Sequence, residues 1–162
     1  EVEVINAFRV GDTVISSTKI REALLAGDVR SAAVMLGRPY NLSGRVIRGN
    51  HRGAGLGFPT ANIEPDKALV PADGIYAVRV LLAGKRLDGV LNIGWNPTFA
   101  DAKRSVEVHI LDFHGNIYGK SIEVLFVDRL RDEARFESPE ELTAQIERDT
   151  VRARAILTDN GE

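Results

Sequence analysis

Residues 75–93, IYAVRVLLAGKRLDGVLNI, contain two short runs of β-branched and aliphatic residues separated by the turn sequence at residues 83–86. Two such runs joined by a tight turn predict an antiparallel hairpin. Similar runs recur at residues 43–48, 105–112 and 121–127. Several strands at this spacing, with short connections such as residues 114–119, favour an antiparallel sandwich or a small barrel.

The segment before this β-rich region has the signals of two successive helices. Ser16 or Ser17 can cap the first helix, which ends at Gly27. Asp28 can cap the second helix, which ends at Gly37. This segment is too short to hold a core of its own, so we expect it to be the end of a larger module.

A further helix is predicted at the end of the chain. Ser138 provides an N-cap and Pro139 occupies the first helical position. The apolar side of this helix consists of Leu142, Ile146, Ala153, Ile156 and Leu157. Residues 2–9 are predicted to form a short strand. The chain is therefore expected to divide into an N-terminal segment, 1–37, and a β-rich domain, 38–162.

Composition restricts the classes of function. The chain has 162 residues, of which 44% are hydrophobic, and its formal net charge is −2, so it lacks the overall basic field of a nucleic-acid-binding protein. The absence of cysteine excludes disulfides, thiolate metal sites and cysteine nucleophiles. No apolar run of 18 residues is present, so we expect no membrane helix. These features are typical of a cytoplasmic protein.

The stretch at residues 52–62, RGAGLGFPTAN, is rich in glycine and belongs to a longer loop that begins at Gly49. Glycines let backbone N–H groups approach a phosphate closely. The stretch lacks the Lys-Ser/Thr pair of a P-loop, and Phe58 stands where a dinucleotide-binding turn would have its third glycine. The alternative is an ordinary surface loop that leads into an edge strand.

Thr60 and Asn62 are two residues apart, so in an extended segment their side chains leave the same face. A hydroxyl and an amide oxygen suit Mg²⁺ that is held mainly by phosphates and water. Glu107 lies in a predicted strand and can act as a general base if its face lines a cleft. The alternative is a solvated outer face, and Glu123 has a similar local pattern.

Other polar and aromatic residues give weaker signals. His51, His109 and His114 lack the spacing of a metal site, so a structural or surface role is favoured. Trp95, beside an Asn-Pro turn, can frame a ligand or plug the end of a barrel. Arg148, in the last helix, can point into a site or remain solvated. The sequence leaves these alternatives open.

The β-rich domain resembles the riboflavin kinase module of bacterial bifunctional FAD synthetases. The resemblance covers about residues 35–157 and is carried by LGRPYNLSGRVIRG, GLGFPTAN, PADGIYAV, IGWNPTF, SVEVHILDF, IYG and VLFVDRLR, in that order. The segment ISSTKIREALLAGD resembles the end of the FMN adenylyltransferase module that precedes the kinase in those enzymes. The H-x-G-H motif of that module is absent from this chain.

The resemblance implies a six-stranded antiparallel Greek-key barrel with a C-terminal helix, preceded by a short helical segment. It implies transfer of the γ-phosphoryl group of ATP to the ribityl 5′-hydroxyl of riboflavin, which yields FMN and ADP with Mg²⁺ as cofactor. The implied catalytic base is Glu107, and Thr60 and Asn62 bind the metal. The implied nucleotide-binding residues are Gly49, His51, Gly53, Gly55, Gly57, Phe58, Thr60 and Asn62.

The same resemblance implies that residues 1–37 are a remnant without adenylyltransferase activity. The alternatives are a non-catalytic flavin- or nucleotide-binding barrel, and an FMN adenylyltransferase that acts only within a full-length protein. No nucleic acid or membrane partner is expected. The sequence does not determine the oligomeric state, and a monomer is one option for the isolated module.

Overall fold

The computed structural model describes residues 9–11, 13–49, 57–96 and 103–159. The strands are β1 Arg9–Val10, β2 Thr13–Val14, β3 Asn41–Ile47, β4 Ala61–Pro65, β5 Gly74–Leu82, β6 Lys85–Asn96, β7 Lys103–Ile110 and β8 Ser121–Arg131. The helices are α1 Ser17–Leu25, α2 Val29–Leu36 and α3 Pro139–Asp159. β1 and β2 form a small antiparallel pair.

The other six strands close into an antiparallel barrel with the order β3-β4-β7-β6-β5-β8. β5, β6 and β7 are successive antiparallel neighbours, and β8 returns to the free side of β5. This order is a Greek key. The predicted Greek-key barrel with a C-terminal helix is therefore confirmed.

The five predicted barrel strands are confirmed, with ends that differ by a few residues. The turn between β5 and β6 consists of Ala83 and Gly84, both with positive φ, at 49° and 77°. Such a two-residue loop matches the twist of a hairpin. The predicted strand 2–9 lies outside the described residues except for Arg9, which begins β1.

β4 was not among the predicted strand runs, because it is short and follows a glycine-rich stretch of sequence. It pairs with β3 on one side and with β7 on the other. The interpretation of this segment as an edge strand is therefore wrong, since hydrogen bonds to both neighbours hold it inside the barrel wall. This double pairing brings the residues after Pro59 against β7.

The barrel interior is filled by alternating apolar side chains from all six strands. Tyr76 and Phe126 are its largest fully buried side chains, and their rings pack edge to face with centroids 5.2 Å apart. Leu24, Val29 and Ala32 join the same apolar cluster, and they come from α1 and α2. The two N-terminal helices are therefore packed on the barrel and share its core.

α3 lies on the outside of the barrel, against β5, β6 and β8. Ala153 and Leu157 are fully buried there against Ile75. The buried carboxylate of Asp149 accepts hydrogen bonds at both oxygens from the guanidinium of Arg131 on β8, 3.0 Å from Nε and 2.7 Å from Nη2. Packing and this ion pair together fix α3 on the sheet.

The described part of the chain contains no helix that is both long enough and apolar enough to cross a membrane.

Candidate active site

Thr60, Asn62 and Glu107 come together where β4 meets β7. Asn62 lies directly opposite Glu107 in the strand register, so both side chains project from the same outer face of the barrel. Thr60 precedes β4, and its hydroxyl donates a hydrogen bond of 3.3 Å to Oε2 of Glu107. The three residues that the sequence singled out for phosphoryl chemistry thus form one cluster.

Gly49 lies against the amide of Asn62. A Cβ added at Gly49 would overlap that amide, with its oxygen at 2.8 Å and its carbon and nitrogen closer still. Real Cβ atoms essentially never approach neighbours so closely. The first glycine of the loop is therefore required for the position of Asn62, which is a packing reason that the sequence pattern did not reveal.

His109 supports the segment that carries Thr60. It follows Glu107 by two residues on β7, and its Nδ1 lies 2.9 Å from the carbonyl oxygen of Pro59. The ring of Phe58 packs edge to face on the imidazole, with centroids 5.6 Å apart. The prediction of a structural role for His109 agrees with these contacts, and Phe58 acts here as its packing partner.

A cavity of about 470 Å³ opens at the barrel mouth next to Thr60. One side is formed by residues 59–61, and the other by the connection between β7 and β8, which includes Phe113, His114 and Tyr118. Its volume lies in the range of small-molecule sites. Because Thr60 lines the cavity and also contacts Glu107, it joins the cavity to the outer-face cluster.

Glu123 shares the sequence pattern of Glu107 but has a different environment. It lies on β8 opposite Ser43, and its carboxylate accepts a hydrogen bond from the side-chain amide of Asn41. Glu123 thus links β8 to β3, away from Thr60 and Asn62. The sequence could not tell which of the two glutamates belongs to the site, and the structure places Glu107, not Glu123, beside Thr60 and Asn62.

The remaining predicted site residues are dispersed. Gly57 adopts a φ of 86°, which is a conformation that favours glycine. Trp95 is 56% exposed near the end of β6, and Arg148 is exposed on α3, where it donates to Gln145. The predicted positions His51, Gly53 and Gly55 lie outside the described residues.

Asn92 is a member of the cluster that sequence reasoning missed. It lies on β6 directly opposite Glu107, which itself lies opposite Asn62. The three side chains therefore form a row across β4, β7 and β6. The signal in the sequence was a lone polar residue between Leu91 and Ile93, and strand register was needed to connect it with Glu107.

A carboxyl group with a shifted pKa lies at the far end of β6. Glu133 packs against Gly94 and accepts a hydrogen bond from the backbone of Trp95. Burial of the carboxyl group, followed by the nearby charge of Asp73, raises the pKa of Glu133 above its usual 4.5. The folded protein therefore favours the protonated form of Glu133 more than the unfolded chain does.

Comparison with known proteins relates this geometry to a family. A family model for riboflavin kinase (flavokinase) matches residues 36–157. A bifunctional riboflavin kinase/FMN adenylyltransferase from Haemophilus influenzae is 46% identical over 144 residues, which are 88% of this chain and 47% of that protein. The chain spans about half the length of the curated relatives it matches.

Two solved structures share the fold. A Streptococcus pneumoniae protein described as a macrolide-efflux protein matches with a TM-score of 0.87 at 36% identity, over 93% of this chain and 50% of that one. A riboflavin kinase from Trypanosoma brucei matches with a TM-score of 0.53 at 25% identity, over 74% of this chain and 80% of that one. Together with the family match over most of the barrel and α3, these findings show that the chain belongs to the riboflavin kinase family.

Proposed function

We propose that this chain transfers the γ-phosphoryl group of ATP to the ribityl 5′-hydroxyl of riboflavin, which gives FMN and ADP. The observation that carries the proposal is the position of Thr60, which lines the mouth cavity and contacts Glu107. A nucleotide in the cavity and an acceptor alcohol beside Glu107 would meet at this residue. Membership of the riboflavin kinase family supports both substrates.

The cavity is the proposed site of the nucleotide. Its aromatic residues, Phe113, His114 and Tyr118, can stack on a base or cover it. The glycine-rich loop from Gly49 to Gly57 would supply backbone N–H groups to the phosphates, with His51, Gly53, Gly55 and Phe58 as the further residues of this nucleotide side. Phosphoryl transfer depends mainly on positioning and charge neutralisation, and such a loop provides both.

The residues present fit Mg²⁺ bound together with the nucleotide. Thr60 and Asn62 offer neutral, hard oxygen atoms, and Mg²⁺ commonly takes one or two protein oxygens plus phosphates and water. Among the described residues no group of three His, Asp or Glu side chains forms a metal site of its own. The phosphates must therefore supply most of the negative ligands. When bound, the metal would neutralise charge on the transferring group.

Glu107 is the proposed general base. Its carboxylate would accept the proton of the 5′-hydroxyl while that oxygen bonds to the γ-phosphorus, and the bond to the β,γ-bridging oxygen would break to release ADP. Thr60 donates to Oε2, which can orient the carboxylate toward the alcohol. A positioned base typically contributes about 10²–10⁴-fold to the rate.

The N-terminal segment is proposed to be a non-catalytic remnant of an adenylyltransferase module, residues 1–37, ahead of the kinase domain, 38–162. The lack of an H-x-G-H motif in this chain supports the proposal that it forms no FAD. The chain contains no cysteine, which agrees with work in the cytoplasm, where ATP is available. Neither nucleic acid nor membrane is proposed as a partner, and a monomer suffices for the site.

One assay tests the function. The purified chain is incubated with riboflavin, ATP and Mg²⁺, and in parallel with FMN, ATP and Mg²⁺, and flavins are separated by chromatography. We expect FMN in the first reaction and no FAD in the second. Binding of riboflavin or ATP without FMN would favour the non-catalytic barrel, and FAD in the second reaction would contradict the proposal for residues 1–37. Thr60→Ala and Asn62→Ala should weaken Mg–ATP binding as well as turnover.

A further inference from the structure

Asn92 carries a buried polar atom whose partner is missing. Its side-chain Oδ1 is buried without a hydrogen-bond donor in the part of the chain that the structure describes. Most buried polar atoms in folded proteins have a partner, and leaving one without a partner is destabilising. Because Asn92 lies directly opposite Glu107 on the same face, the unsatisfied oxygen is next to the proposed base.

A second atom of this kind lies on α3. The hydroxyl oxygen of Thr150 is also buried and has no hydrogen-bond partner among the described residues. Thr150 precedes Arg154 by one helical turn, so both residues lie on the same side of α3. Arg154 reaches Asp112, just beyond the end of β7, with two hydrogen bonds of 2.8 and 2.9 Å. Thr150 therefore lies on the side of α3 from which Arg154 reaches the segment after β7.

Asn92 lies on the strip of barrel surface between α3 and Glu107, and Thr150 is buried on the helix that borders this strip. α3 packs on β6, where Val90 belongs to the apolar contact between the helix and the sheet. Asn92 is the next residue of β6 whose side chain projects from the outer face, and it lies opposite Glu107. A hydroxylated chain that reaches Glu107 along this strip would pass Asn92. An alcohol can donate to an amide oxygen and accept from a threonine hydroxyl.

We propose that Asn92 accepts a hydrogen bond from a secondary hydroxyl of the ribityl chain and so holds the 5′-hydroxyl beside Glu107. The inference rests on the proposed function, since it assigns part of the acceptor site. A neutral amide suits this place because it adds no negative charge next to the carboxylate, as an aspartate would. Thr150 provides the second contact on the α3 side.

The main test is the variant Asn92→Ala. We expect kcat/KM for riboflavin to fall about 2- to 12-fold, as for loss of one neutral hydrogen bond, while KM for ATP stays unchanged. Riboflavin analogues that lack the 2′-, 3′- or 4′-hydroxyl identify the contact. With the analogue that lacks the partner hydroxyl, Asn92→Ala and the unmodified protein should react equally well.

Thermal unfolding without ligand separates this role from a structural one. Removal of an unsatisfied buried atom should leave the melting temperature of Asn92→Ala unchanged or higher. Asn41→Ala is the matched control, because the side chain of Asn41 bonds to Glu123 and, at 2.9 Å, to Lys67. That variant should melt at a lower temperature with an unchanged KM for riboflavin.

An unchanged kcat/KM for riboflavin in Asn92→Ala would overturn the inference, and so would an equal loss with riboflavin and all three analogues. Thr150→Val keeps the side-chain shape and gives the same test on α3, where a smaller loss confined to the hydroxylated substrates is expected. Thr150→Val also tests the inference if Asn92→Ala does not accumulate as folded protein. Failure of the unmodified chain to form any FMN would instead refute the proposed function.

Discussion

Gly49→Ala is expected to inactivate the site by moving Asn62. The added methyl group would overlap the Asn62 amide, whose oxygen would lie 2.8 Å away. The optimal van der Waals separation between carbon atoms is about 3.5–4.0 Å, so the Asn62 amide must be displaced by roughly 1 Å or more. The side chain is the movable partner, because β4 is hydrogen-bonded on both sides.

The size of the effect follows from this displacement. A misplacement of about 1 Å in a phosphoryl-transfer site can cost about 10²-fold in rate. Loss of a hydrogen bond to a charged group costs about 1.5–3 kcal/mol, or about 10- to 150-fold. Forcing the Asn62 side chain off its rotamer costs only about 0.5–1.5 kcal/mol of stability. Gly49→Ala should therefore lose most of its activity while it loses only a few degrees of melting temperature.

The assay is a double-mutant cycle with kcat/KM for ATP as the readout. If Gly49→Ala acts through Asn62, the double variant Gly49→Ala/Asn62→Ala should be no slower than Asn62→Ala alone. Gly89→Ala is the matched control, since its new methyl group would meet the side chain of Val108 at 3.1 Å, inside the barrel wall. That control should melt at a lower temperature and keep its kinetics for ATP.

Two outcomes would contradict the role of Gly49 in placing Asn62. If the losses of the two single variants multiply in the double variant, Gly49 contributes through something other than the position of Asn62. If Gly49→Ala keeps full activity, the loop accommodates a side chain at this position, and the close approach of Gly49 to Asn62 has no role in turnover.

Three further changes should separate chemistry from stability. Glu107→Gln should lower kcat by about 10²–10⁴-fold with little change in ATP affinity, whereas Glu123→Gln should keep the kcat of the unmodified chain. If both variants lose kcat to a similar extent in a steady-state assay, Glu107 is not the base. Asp149→Ala removes the carboxylate that forms an ion pair with Arg131 and should cost on the order of 3 kcal/mol, measured by urea unfolding. An unchanged midpoint would show that packing alone holds the helix. Burial, and after it a nearby carboxylate, raises the pKa of Glu133 above 4.5, so its contribution to stability is fully present below pH 4.5 and is lost as the pH rises through the raised folded-state pKa. Glu133→Gln should therefore raise the melting temperature at pH 7 but not below pH 4.5, and a gain that persists in acid would point to another cause.

The barrel could be predicted from sequence because most of its strands have a recognisable local composition. The runs that became β3, β5, β6, β7 and β8 combine β-branched residues with bounding turns, and both signals act over short distances. β4 lacks them. It has five residues, and its place depends on pairing with two strands that lie far from each other in sequence.

The site was predicted only in part, for a related reason. Thr60 and Asn62 share one short motif, so their common side follows from local geometry. Glu107 could be related to them only through resemblance to the riboflavin kinases, since Glu123 has the same alternation. Asn92 had no local signal of function. The role proposed for Asn92 depends on the strand register, which places it opposite Glu107, 15 positions later in the sequence.

The row Asn62–Glu107–Asn92 is placed by the same pattern that builds the core. Val106 and Val108 flank Glu107 and are buried in the barrel interior, so a slip of one residue would turn Glu107 inward and expose both valines. Core packing therefore holds the proposed acceptor side of the site in register. Thr60 lies outside the strands and depends on the contact between His109 and Pro59. We therefore expect the barrel wall to position the alcohol and its proposed base, and Thr60, beside the cavity, to bring the nucleotide next to them.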